Sequence, residues 1–132
     1  MYEFLKYIAL KNNWIFNYAR SDYQNLLHDV EEDKTYLFLD PVQIQHSFDE
    51  FQEPEVKTYN GTFLILQSSD FDGDYDEKYL KHIKPLIDNH LKVIQKEFSC
   101  SQYTVNQWNT TEIINLFDQN LDGILVNYSV EE

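Results

Sequence analysis

The sequence predicts an α+β domain in which one long amphipathic helix packs on a mostly antiparallel sheet. Three observations carry this. From Asp76 to Ser99, Leu80, Ile83, Ile87, Leu91, Ile94 and Phe98 recur at steps of three and four, a single helical stripe, while Lys78, Lys81, Lys84, Asp88, Lys92 and Gln95 fall elsewhere. β-like stretches flank that helix, residues 35–68 before it and 103–131 after it, so two strand pairs feed one layer from both sides. The 132 residues, 42% hydrophobic and 16% aromatic, suit one folded domain, 1–132, with a single core.

In chain order, Tyr2 to about Lys11 sets Phe4, Leu5, Ile8 and Ala9 on one side of a short helix, which Asn12-Asn13 break. Trp14, Ile15, Phe16 and Tyr18 form an apolar cluster, read as core rather than as a ligand box. Ser21-Asp22 is placed to cap a second helical turn carrying Tyr23, Leu26, Leu27 and Val30. After the solvated turn Glu31 to Lys34, Thr35, Leu37 and Leu39 lie opposite Tyr36 and Phe38. Val42, Ile44, His46 and Phe48 then alternate with Gln43, Gln45 and Ser47. Proline cannot donate to a sheet ladder, so Asp40-Pro41 between these patterns marks a bulge or an edge.

Beyond an acidic connector at 49–55, Phe63 and Ile65 alternate with Thr62, Leu64 and Leu66. Asn60-Gly61 reads equally as a local hairpin turn or as a bulge in one longer strand. Ser68 to Asp76 is an exposed acidic loop, with Asp74 or Asp76 near the positive end of the helix dipole. Pro85 removes a helical donor, and because the stripe keeps phase across it we expect a kink there. Extended pieces at 103–105 and 112–117, a turn at 118–123, and a terminal strand with Ile124, Val126, Tyr128 and Val130 on one face complete the chain.

The composition narrows the function. A net charge of −13, from 23 acidic and 10 basic residues, repels phosphate backbones and anionic lipid. Two acidic roles remain: a surface past which DNA slides, or a decoy that imitates DNA to occupy a basic partner. No segment approaches the roughly 18 apolar residues of a membrane span, and MYEFLKYIALKNNW does not read as a secretory signal. A single cysteine, Cys100, forbids an internal disulfide or a Cys-based zinc site and fits a reducing, cytosolic setting.

No motif calls for catalysis, a metal or a cofactor. Asp118-x-Asn120-x-Asp122-Gly123 matches the first half of a calcium loop, but Ser129 stands where the closing Glu belongs, so we read a strand-connecting turn. Asp70, Asp72, Asp74 and Asp76 alternate without a closing Glu. They are an interaction patch rather than a cation cage. His28, His46, His82 and His90 are too widely spaced for a metal pair on adjacent helical turns, and Cys100 has no base near it in sequence.

The order helix, strands, long helix, strands in a small acidic chain resembles the tail-completion or tail-terminator proteins of tailed bacteriophages. The resemblance lies in Tyr36 to Phe48 and Val56 to Ser68, in DEKYLKHIKPLIDNHLKVI and in EIINLFDQNLDGILVNYSV, about residues 35–131. It implies a non-enzymatic virion protein, assembled in the host cytoplasm, that self-associates into a ring at the head–tail junction. Its partners would be tail-tube and connector proteins, and DNA would pass an acidic lumen without specific binding. On this reading Asp70, Asp72, Asp74 and Asp76 face a lumen or neighbour, and Ile124, Val126, Tyr128 and Val130 form a partner edge. The alternative is an acidic inhibitor, an immunity protein or DNA mimic, that binds a basic toxin or nuclease.

Overall fold

One strand organises the backbone hydrogen bonding. In the computed structural model, which describes residues 1–20, 30–70 and 72–132, the apolar alternation around Phe63 to Leu66 belongs to a 15-residue strand, β4 (Pro54–Ser68). The other elements are α1 (Tyr2–Lys11), β1 (Ile15–Tyr18), β2 (Thr35–Leu39), β3 (Gln43–Phe48), a helix at 75–99 (α2), β5 (Thr104–Leu116) and β6 (Leu121–Glu131). On one side β4 pairs antiparallel with β6. On the other it pairs antiparallel with β2 at residues 63–67 and with β3 at residues 54–60.

The fold is α+β, but the sheet is not two strand pairs: six strands form one mixed sheet in the order β1-β2-β4-β6-β5, with β3 on β4. The segment expected only as an apolar cluster supplies β1, which runs parallel to β2. Leu39 pairs with Phe63 and Gln43 with Asn60, so three residues, 40–42, oppose two, 61–62. Asp40-Pro41 therefore sits in a bulge between two strands that line the same side of β4. Asn60-Gly61 makes no turn. Gly61 lies inside β4, paired with Tyr128, and a Cβ there would stand 2.7 Å from the Tyr128 hydroxyl.

Each face of the sheet buries its own apolar set, as strand alternation requires. Leu37, Leu39, Phe63, Ile65, Ile124 and Val126 pack under α1 and α2. Tyr36, Phe38, Leu64, Leu66 and Leu121 form a smaller cluster on the opposite face, with Val30 and Phe117 against it. Val30 is the described end of the expected second helical turn; Ser21, Asp22, Tyr23, Leu26, Leu27 and His28 lie outside the described residues.

The long helix differs from its predicted stripe. Its buried residues are Lys78, Ile83, Leu86, Leu91, Ile94 and Phe98, while Leu80 is 62% exposed and Ile87 is half-buried. Steps of five between Lys78 and Ile83, and between Leu86 and Leu91, coincide with π-helical turns at Tyr79–Ile83 and Leu86–Leu91. A π turn takes up an extra residue, so the inward face moves along the sequence without the helix ending. Pro85 lies between the two: it has no N–H, and its ring crowds the carbonyl four residues earlier. The interruption expected at Pro85 is thus a change of turn, and Lys84 N–H reaches back to Tyr79 O.

Candidate interaction sites

The two ends of the sheet carry different chemistry. At the end where β4 finishes and β6 begins, Asp122 and Lys78 are both buried, with Lys78 Nζ 3.5 Å from Asp122 Oδ2. Asp122 also accepts from Ser69 Oγ at 2.5 Å and from the Asn115 N–H at 2.8 Å, and Lys78 Nζ donates to Asn115 Oδ1. Asn115 can serve both because it sits in a β5 irregularity with φ 55, a left-handed conformation that Asn tolerates better than most residues. A buried carboxylate and ammonium are tolerable only when paired and hydrogen-bonded in this way. The half-match to a calcium loop is therefore structural. Asp122 faces inward to Lys78, and a Cβ on Gly123 would come within 2.0 Å of Ile65 O.

Above this network lies the acidic loop. Asp70, Asp72, Asp74 and Asp76 are all exposed. Their roles separate: Asp74 is the helix cap, accepting the Glu77 N–H at 3.4 Å, whereas Asp76 lies within the first turn. Asp70 joins Ser69, Lys81 and His82 around a polar cleft of about 150 Å3. Burial holds the His82 imidazole below its ordinary pKa; the Asp122 and Asp70 carboxylates partly oppose this, and the Lys81 and Lys78 ammonium groups add to it. Among the described residues no three His, Cys, Asp or Glu side chains are grouped to hold a metal.

At the other end of the sheet, apolar surface is left uncovered. β3 and the first residues of β4 project as a two-stranded arm, because β6 pairs only from Thr58 onward. The alternation of Ile44, His46 and Phe48 predicts a half-buried face, yet every residue of β3 is exposed. Phe51 at the tip is 77% exposed. On the opposite flank, Gln95, Phe98 and Ser99 of α2 and Val105 and Trp108 of β5 line a groove of about 370 Å3. That is many times the roughly 30 Å3 of a water molecule.

The structure moves the expected partner edge. Ile124, Val126, Tyr128 and Val130 are core residues of β6, which is paired on both sides by β4 and β5. A strand with both ladders filled has no edge to offer. Among the described residues the unpaired outer edges belong to β1 and β3 on one flank and to β5 on the other. The sequence signal for the arm was Phe48 directly before, and Phe51 within, the acidic run Asp49 to Glu55. No protein-family model matches the chain, and a search of curated proteins finds no relative.

Proposed function

We propose that this protein is a non-enzymatic virion assembly protein of the tail-completion or neck type, which associates into a ring at the head–tail junction. The observation that carries this reading is that, among the described residues, sheet edges are left unpaired on opposite flanks. A molecule whose two adhesive surfaces differ and lie on opposite sides joins head-to-tail, and such contacts close into rings when the rotation between copies allows. The exposed carboxylates at the Asp70–Asp76 end supply the second requirement, a surface that repels DNA phosphates while DNA passes. Tail-tube and connector proteins are the partners on this reading.

Light scattering on fractionated protein across a concentration series, with addition to isolated phage tails, tests it. We expect a discrete oligomer and stoichiometric addition to tails; a strict monomer that fails to add would overturn the reading. The exposed carboxylates also favour a second reading, an acidic inhibitor of a basic toxin or nuclease, and it would show itself as a tight one-to-one complex formed by the monomer.

A further inference from the structure

We infer that the contact between copies is an antiparallel pairing of β3 of one copy with β5 of the next, which seats Ile44 and Phe48 in the groove between β5 and α2. The inference rests on the ring reading above and names the surfaces that would build it. Strand direction comes first. β5 and β4 are each antiparallel to β6, and β3 is antiparallel to β4, so β3 and β5 run in opposite senses within one copy. Rotation about an axis along the strands preserves those senses, so β3 of one copy meets β5 of the next as an antiparallel pair.

The side chains then fall on matching faces. Ile44, Tyr59, Val130 and Val105 are paired partners in one row across β3, β4, β6 and β5. Tyr59 and Val130 belong to the core under the helices, which places Ile44 and Val105 on that same face at opposite flanks. A β3 strand added beside β5 would therefore direct Ile44 and Phe48, 50% and 57% exposed in the single chain, towards Val105, Trp108 and the groove.

Both edges also lack the charged and proline guards against such pairing, although β5 is irregular at 105–107 and 113–116. Edge strands that must stay single carry Lys, Pro or inward charges. β3 reads QIQHSF, with no proline and no acidic or lysine side chain, and β5 reads TVNQWNTTEIINL, with Glu112 its one acidic or basic residue. Charge selects the occupant. In a chain of net charge −13, two copies repel unless opposite charges meet locally. The arm carries exposed Glu50, Glu53 and Glu55, and exposed Lys92 and Lys96 rise on the helix beside Gln95 at the groove.

Oligomer size and mixed cross-linking test the contact. Ile44→Asp and Phe48→Asp alter exposed positions, so thermal melts should match the wild type, while the concentration at which the oligomer forms should rise by at least about tenfold. Lys92→Glu with Lys96→Glu should weaken assembly, and adding Glu53→Lys with Glu55→Lys should restore it. In a Cys100→Ser background, Gln45→Cys and Gln107→Cys chains treated with a short bis-maleimide should cross-link when mixed, and neither should do so alone. An oligomeric wild type whose assembly is indifferent to these changes would overturn this contact and leave the ring reading standing. Gln45→Cys chains that cross-link with one another would assign a symmetric arm-to-arm contact instead. A wild type that stays monomeric at every concentration would overturn both.

Discussion

The two ends of the sheet solve opposite problems. At the Lys78–Asp122 end a full charge pair is taken out of water, and it persists because Ser69, Asn115 and a left-handed backbone turn fill its hydrogen-bonding capacity. At the β3 end, among the described residues, no such closure exists: apolar side chains and unpaired backbone edges are exposed. An end whose interactions are complete within one chain has a structural task. An end left incomplete is where another molecule is expected, which is why the proposed contact sits there.

Removing one member of the buried pair is the strongest way to break the comparison. Asp122→Ala leaves the Lys78 ammonium buried without its counter-charge, and we expect a loss of about 3–5 kcal/mol in urea unfolding. Lys78→Met should cost less, because Asp122 retains the Ser69 hydroxyl and the Asn115 N–H. Equal losses would mean that the ion pair, rather than the carboxylate's hydrogen bonds, organises this end.

Next in size is the helix, whose π turns decide which residues face the sheet. Leu91→Ala should cost about 2–5 kcal/mol as a buried truncation. Ile87→Ala, half-buried, should cost less, and Leu80→Ala should stay within about 0.5 kcal/mol. Equal shifts in thermal midpoint for Leu80 and Leu91 would restore the regular stripe and remove the π register.

A smaller effect depends on pH. His90 lies against Trp14 with ring centroids 5.1 Å apart and ring planes tilted by 30°, and burial lowers its pKa, an effect that its contact with Pro85 O partly opposes. His82 is lowered for the same leading reason. A histidine with a depressed folded pKa binds its proton more readily when unfolded. Its contribution is therefore complete above the ordinary value of about 6.5 and is lost as pH falls through the folded pKa. Denaturation midpoints should fall below about pH 6.5, and His90→Gln should flatten that slope; an unchanged slope would place the titration elsewhere.

The smallest expected effect is in the acidic loop. Asp70→Asn, Asp72→Asn and Asp76→Asn together should move stability by no more than about 0.5 kcal/mol, as exposed substitutions do, with Asp74 spared because it caps the helix. If the loop faces DNA or a basic partner, phage yield or the salt dependence of binding should change while the melt does not. Wild-type yield and salt response would reduce the loop to a solvated connector.

By itself the sequence determined what short-range periodicity and charge can express. It yielded the first helix with Leu5, Ile8 and Ala9 inward, the long helix to Ser99, the alternating faces of β2 and β6, the irregularity at Asp40-Pro41 and the exposure of the four loop aspartates. Tertiary structure decided what depends on partners distant in the chain. Ile15 to Tyr18 becomes a strand because β2 offers a parallel ladder, and Asp122 and Lys78 go inside because they meet each other. Ile124 to Val130 loses its edge because β5 folds back beside it. Ile44 and Phe48 alternate like a buried face yet are exposed, because neither α1 nor α2 covers the arm. Periodicity states which side chains share a face; only packing states whether anything lies against that face.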